Sequence, residues 1–318
     1  MPETSMAEIE RLFQTGRQGE ALELLKQFAV AHPSDASAQL NLGNAFATLG
    51  QWEPALASWL ASLEIDPKQA IVLQNLALAY EKRGDETRAI HYWERLLGQD
   101  PHSEAALTRL AEIYFKQGLY QEAEKKFLDL ARANPNSHLA QNNLGIVYRQ
   151  LNQIDKAIQA FEKSVALFSG YFLATYNLGL LYLETNRLND AERAFRQALI
   201  LGDKNPDVHV SLGLVYLRQN RLPEAKSQWM KTIYHDPDNQ LAHYNLGILF
   251  LSSGEIDRAI ESFTRAEKAG INSPGFYYHF GLGYFHKREK LMAQYYWALV
   301  PDSESDLFSD IQEKLKQL

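Results

Sequence analysis

Histidine, aspartate and glycine offer the first places to look for chemistry in this chain. Of its nine histidines, His279 and His286 stand seven residues apart and share one face of a predicted helix, while His209 and His243 are 34 apart. Two imidazoles do not close a zinc site, which takes three or four protein ligands. Asp236-Pro237-Asp238 has the spacing of a carboxylate pair for a divalent cation. Asp66-Pro67 and Asp100-Pro101 recur at matching places, however, so the motif reads as a helix-ending turn. Gly281-Leu282-Gly283 opens like a dinucleotide loop, but it lacks the third glycine, follows no strand and runs into Tyr284 and Phe285 inside a helix. No phosphate loop of the GxxxxGK type and no GxSxG elbow occurs. With no cysteine, thiolate nucleophiles, disulfides and thiolate metal sites are excluded. The chain is therefore expected to carry no catalytic residue, no cofactor and no metal.

The chain has 318 residues, of which 46% are hydrophobic and 22% charged, so it contains the apolar material for a core and is not a disordered tail. Its 32 Lys and Arg against 39 Asp and Glu leave a formal charge of -7, which argues against a nucleic-acid partner. Met1 to Phe13 has no apolar run of leader length, and nowhere do eighteen apolar residues stand together. Neither secretion nor membrane insertion is expected, and the cytoplasm is the expected compartment.

The elements that position side chains follow from an internal ruler. Ala21, Ala55, Ala89, Ala123, Ala157, Ala191, Ala225, Ala259 and Ala293 recur every 34 residues. Twelve residues before each of the last eight stands a small residue: Gly43, Ala77, Ala111, Gly145, Gly179, Gly213, Gly247 and Gly281. Three residues after each of these comes Phe46, Tyr80, Tyr114, Tyr148, Tyr182, Tyr216, Phe250 or Tyr284, and four after each alanine comes Trp59, Trp93, Phe127, Phe161, Phe195, Trp229, Phe263 or Trp297. Leu144, Gly145 and Tyr148 fall on one helical stripe, and Ala157 and Phe161 on a second helix after a break near Asn152. Each period is thus a helical hairpin. Six helical glycines oppose folding by roughly 6 kcal/mol in sum, which close approach of the two helices must offset.

The pattern L-[GA]-x-x-[YF], then A-x-x-x-[FW], then a frequent proline, at this period, resembles the tetratricopeptide repeat (TPR). The resemblance covers nine repeats over residues 1–305 with boundaries near 33, 67, 101, 135, 169, 203, 237 and 271, followed by a capping helix over 306–318. It implies an all-α, right-handed superhelical solenoid of helix-turn-helix repeats. The first repeat is expected to begin around Ser5. The closing helix is expected behind Ser305 or Asp306, with Leu307, Ile311, Leu315 and Leu318 at helical spacing. Boundary prolines stand at Pro33, Pro67, Pro101, Pro135 and Pro237; Ser169, Asp203 and Ile271 replace them elsewhere, so helix ends there are expected to run on or hinge differently.

In this family the first helix of each repeat lines a concave groove, and that implication sets the candidate site. Two residues before each small-residue mark stand Asn41, Asn75, Arg109, Asn143, Asn177, Ser211, Asn245 and His279. Asparagine is a poor helix former, and its amide both donates and accepts, matching an extended peptide backbone. The column is similar to the asparagine ladder of O-linked glycosyltransferase arrays, though bonding within the scaffold is equally open to it. Asn44 flanks it, as do Glu81, Lys82, Glu112, Lys116 and Arg149 in the early repeats. From the fifth repeat the flanks turn apolar: Ile146, Leu173, Tyr176, Leu180, Leu183, Val210, Leu214, Leu217, Tyr244, Ile248, Leu251, Tyr278, Leu282 and Phe285. The family's chaperone-tail clamp would find Asn44, Asn75 and Arg109 at matching positions, but Leu40 and Ala105 replace its two lysines. Lys82 and Lys116 could serve another acidic partner.

The expectation is a non-enzymatic scaffold that binds a peptide or helical segment of a partner protein in the groove. The alternative is a structural, self-associating subunit of a larger protein assembly.

Overall fold

The computed structural model describes residues 6–202 and 205–317, and among them forms nineteen helices and no strand. Ser5, Asp203 and Leu318, on which three of the expectations fall, lie outside the described residues. First helices of the hairpins are α1 (Met6–Gln14), α3 (Ala36–Thr48), α5 (Ala70–Lys82), α7 (Glu104–Lys116), α9 (His138–Gln150), α11 (Phe172–Glu184), α13 (Pro206–Arg218), α15 (Gln240–Ser252) and α17 (Pro274–His286). Second helices are α2 (Gln18–Ala31), α4 (Trp52–Ile65), α6 (Glu86–Gln99), α8 (Tyr120–Ala133), α10 (Ile154–Leu167), α12 (Leu188–Leu201), α14 (Leu222–His235), α16 (Ile256–Lys268) and α18 (Lys290–Trp297). The last helix is α19 (Ser305–Leu315).

The turn inside each hairpin repeats a single device. Gly16, Gly50, Gly84, Gly118, Asn152, Asn186, Asn220, Gly254 and Arg288 all have positive φ, one every 34 residues. At each, the chain leaves the helix in a Schellman turn: the amide two residues past the cap donates to the carbonyl of Leu12 in the first repeat and of the first aromatic column in the other eight, as in Asp85 to Tyr80 at 2.9 Å and Arg187 to Tyr182 at 2.7 Å. Glycine enters the left-handed region without Cβ strain and asparagine tolerates it. Arg288, at φ 64°, does neither. Arg288→Gly is therefore expected to raise unfolding stability by about 1 kcal/mol, read as a shifted urea midpoint; no shift would show that the turn holds no strain.

Several first helices open with a side-chain cap. Asp35 accepts from the amides of Ser37 (2.8 Å) and Ala38 (3.2 Å), and Ser137, Asn205, Asn239 and Ser273 serve α9, α13, α15 and α17 in the same way. Helix ends without a boundary proline differ less than expected. α10 and α12 stop at Leu167 and Leu201, in phase with α8 at Ala133, because the helix-ending backbone turn forms without proline's help. Only α16 ends a residue early, its chain turning at Gly270 with φ 100°. α19 starts at Ser305, so Glu304 holds the cap position in place of Ser305 or Asp306.

The chain divides within α10 into two compact units, Met1–Ala160 and Phe161–Leu318. In the first, each hairpin packs its helices together and its second helix against the next first helix, from α1·α2 through α8·α9. Trp59, Leu73, Leu76, Trp93, Leu107 and Phe127 fill that core. In the second unit the same scheme runs from α11·α12 to α17·α18 around Phe195, Trp229, Phe263, Phe276, Phe280 and Trp297. α19 lies on α17, with Ile311 2% exposed beside Trp297 and Val300. Tyr278 Oη donates to Asp310 Oδ2 at 2.6 Å across that contact.

Both small columns have one cause. All nine period-marking alanines are fully buried at 0% exposure, where a larger side chain would hold two helices apart. A Cβ built on Gly179 would stand 2.7 Å from the Phe195 ring, and one on Gly43, Gly213, Gly247 or Gly281 would fall into Trp59, Trp229, Phe263 or Trp297. The aromatic thus occupies the space the glycine leaves, which offsets the helical cost of glycine.

Candidate functional site

In the first unit, the predicted asparagine positions line successive depressions on the stripe presented by α3, α5, α7 and α9. Asn41 and Asn44 stand over a hollow of about 180 Å³ with Ile9, Phe13 and Leu25. Asn44 and Asn75 share the next, of about 480 Å³, with Trp52, Ile71, Leu78 and Lys82. Arg109 lines a third of about 390 Å³ with Gln74, Leu78 and Trp93. Asn143 and Ile146 line one of about 240 Å³ with Glu112, Phe115 and Phe127.

Hydrogen bonding orients the two amides of the 480 Å³ hollow. Trp59 Nε1 donates to Asn44 Oδ1 at 3.0 Å, and Asn75 Nδ2 donates to the same oxygen at 2.9 Å. Asn44 must therefore present its NH₂ group outward and Asn75 its oxygen. A donor and an acceptor side by side match one peptide unit, the amide accepting at its C=O and donating through its N–H. At this pair the scaffold bonding is present, and it engages only part of each amide: the Asn44 NH₂ group and the Asn75 oxygen are left over from it. Further along, Asn143 Oδ1 accepts from Asn142 Nδ2 at 3.2 Å, and Arg109 is paired with Glu112 at 3.1 Å.

In the second unit the apolar positions are more enclosed. Leu183 and Val210 are buried, at 8% and 5% exposure, and belong to the packing between helices. Tyr176, Asn177, Leu180, Leu214, Leu217, Tyr244, Asn245, Ile248, Leu251, Leu282 and Phe285 are half-buried, and Leu173 is half-exposed. Tyr176 stacks on Phe172 with ring centroids 5.9 Å apart, and its hydroxyl is 3.5 Å from Ser211 Oγ. Tyr244 lies against Phe263, Phe276 and His279; burial pushes its phenol up to about 12. Tyr278 is committed to Asp310, so α19 engages that end of the strip.

His279, which takes the asparagine position in its repeat, donates from Nδ1 to the Gly275 carbonyl at 2.7 Å, with Tyr244 Oη 3.0 Å from the same nitrogen. Burial holds its imidazole below the ordinary histidine range, against the opposing pull of the Gly275 carbonyl. A histidine depressed in the fold binds its proton more readily when unfolded, so its contribution is present above about pH 6.5 and fades as pH falls below that. Unfolding stability is expected to drop less between pH 7.5 and 5.5 in His279→Asn than in the wild type; equal drops would show that another group controls the slope.

Among the described residues no group of three or more His, Cys, Asp or Glu side chains could hold a metal ion, and no helix is long and apolar enough to cross a membrane. Trp52, Ile71 and Leu78 line the largest of these hollows without having been singled out from sequence. The signal was the spacing Ile71, Asn75, Leu78, Lys82, a 4-3-4 stripe down one face of α5.

The family model described as Cilia and flagella-associated protein 70 C-terminal domain matches residues 68–273, and that described as TPR repeat matches residues 43–84. No curated protein matches the chain. Among solved structures, the C-terminal part of a TPR repeat-containing protein from Cytophaga hutchinsonii is similar with a TM-score of 0.65 at 14% identity, covering 75% of this chain and 98% of that one. A tetratricopeptide repeat protein from Parabacteroides merdae gives 0.56 at 19% identity, over 78% and 98% of the two chains. YrrB, described as a TPR protein with an unusual peptide-binding site, gives 0.51 at 22%, over 58% and 95%. At these identities the likeness is one of fold, an all-helical repeat solenoid.

Proposed function

Because this chain belongs to the tetratricopeptide-repeat family, matching the Cilia and flagella-associated protein 70 C-terminal domain over residues 68–273, we propose that it is a non-enzymatic protein-interaction scaffold. The reading takes residues 1–305 as nine repeats closed by a cap over 306–318. Its ligand is a peptide segment of another protein, bound along the inner stripe by the asparagine column and by the half-buried apolar side chains of the later repeats.

The observation that carries this reading is the pair Asn44 and Asn75, whose free donor and free acceptor fit one peptide unit beside an open hollow. YrrB, which shares the fold and is described as having a peptide-binding site, supports the same use of the scaffold. Affinity capture from the source lysate tests it. Wild type is run beside Asn44→Ala/Asn75→Ala and beside Tyr176→Ala/Leu180→Ala/Tyr244→Ala/Ile248→Ala, after circular dichroism shows equal helicity. A protein retained by wild type and lost by either variant supports the groove; retention by both variants moves the working surface elsewhere.

A second reading, self-association, is favoured by α18. It exposes Leu291 at 80% and Tyr295 at 58%, and the turn that follows it exposes Leu299 at 41%. One repeat earlier the same positions hold Asp257, Glu261 and Arg265. Light scattering that rises with concentration in wild type and not in Leu291→Glu/Tyr295→Glu would establish it.

A further inference from the structure

Resting on the peptide-scaffold reading, we infer that the hollow between α3, α4 and α5 takes an extended, acidic peptide segment: an aliphatic side chain at Ile71 and, about five residues along, a carboxylate at Lys82, with Leu78 as apolar wall between them.

The sequence offers several cations on this stripe, and the structure separates them by what they already hold. Lys116 is paired with Glu86 at 2.7 Å and Arg109 with Glu112 at 3.1 Å. Lys82 has no carboxylate partner among the described residues; its ammonium rests over the Trp52 ring, 4.1 Å from the centroid. The acids nearest to it in sequence are engaged elsewhere: Glu81 accepts from Trp93 Nε1 at 2.5 Å, Asp85 pairs with Arg88 at 2.6 Å and Glu86 with Lys116 at 2.7 Å. Glu53, next to Trp52 in the chain, pairs with Arg83 at 3.3 Å. No acidic residue lines the hollow. An exposed ammonium held in place by an aromatic face, with no counter-charge in the cavity it borders, is complementary to a carboxylate.

The remaining wall sets the spacing. Ile71 is 59% exposed and Leu78 36%, apolar area left bare on the same stripe. From Ile71 to Lys82 the helix rises by about 16 Å, at about 1.5 Å per residue, and an extended chain covers that in about five residues. Asn44 and Asn75 lie between the two ends, where their free donor and acceptor meet the peptide backbone. The arrangement is distinct from the two-lysine clamp, whose lysine positions are Leu40 and Ala105 in this chain.

Acetylated, amidated octapeptide pools built from Ala, Ser, Gly and Thr test the inference, with Leu and Glu fixed five residues apart in either order, or Leu and Gln in the same places. Fluorescence anisotropy on the full chain is expected to show the Glu pool binding about tenfold tighter than the Gln pool, the advantage shrinking as salt rises. Lys82→Met should erase the difference and Lys82→Arg keep it, with the thermal transition unmoved because Lys82 is exposed. Equal binding of the two pools, or a Glu preference that survives Lys82→Met, overturns the inference. If the pools then still lose binding in Asn44→Ala/Asn75→Ala, the peptide-scaffold reading stands without it. If no pool binds and the lysate capture also fails, the scaffold reading itself falls.

Discussion

Trp229→Ala is expected to lower the unfolding free energy of the second unit by about 3–5 kcal/mol. The indole is fully buried at 0% exposure, fills the space against Gly213, and donates from Nε1 to the Val210 carbonyl at 3.2 Å. Truncation removes the apolar area and the hydrogen bond together, and rigid helices on both sides prevent the void from collapsing. Urea unfolding followed by far-ultraviolet circular dichroism measures the loss. Trp229→Phe, which keeps most of the ring and loses the N–H, should cost much less, about 1–2 kcal/mol. A loss below about 1 kcal/mol for the alanine variant would mean that the neighbouring helices close the gap.

The second large effect concerns sign rather than size alone. Gly213→Ala adds a good helix former to the interior of α13 and on propensity alone should stabilise by about 1 kcal/mol. Its Cβ, however, falls into the Trp229 ring, and overpacking of that kind costs about 1–3 kcal/mol or more. A net destabilisation of about 2 kcal/mol is therefore expected. Gly98→Ala in α6, where nothing stands within 4 Å of the added carbon, should instead be neutral or stabilising. The sign at Gly213 should reverse once Trp229 is alanine, since the obstacle is gone; a double-mutant cycle in urea reads this coupling directly. Equal gains from Gly213→Ala in both backgrounds would refute the account of the small-residue column.

Much of the fold is legible in the amino-acid sequence because each repeat is one hairpin whose signals are local. The small and aromatic columns lie three to sixteen residues apart, within reach of one helix and its antiparallel neighbour, and their periodicity shows which residues face each other. The left-handed turn column is equally regular, yet glycine, asparagine and Arg288 in one column share no side-chain chemistry. What they share is a backbone conformation, which a reading by residue type passes over. Helix ends at Leu167 and Leu201 depart from the sequence expectation for a related reason: proline is one way to stop a helix, and the helix-ending turn forms without it.

The candidate site was half legible. That Asn75 and Lys82 share one stripe of α5, with Asn44 on the first helix of the preceding repeat, follows from period and helical spacing. Which atoms of Asn44 and Asn75 remain free does not, because the choice is made by the Trp59 indole, 15 residues from Asn44, and by the contact between Asn44 and Asn75, 31 residues apart. Nor could composition separate Lys82 from Lys116: the second meets Glu86 from the preceding helix, 30 residues back, while the acids beside the first are drawn to Arg83 and Trp93. Repeat period, hairpin architecture and the buried columns were thus determined by the sequence itself, since they rest on steric size and on spacing along single helices. Hydrogen-bond direction and the pairing of charges were decided only by the tertiary structure, since they depend on which groups from different helices come within about 3 Å of one another.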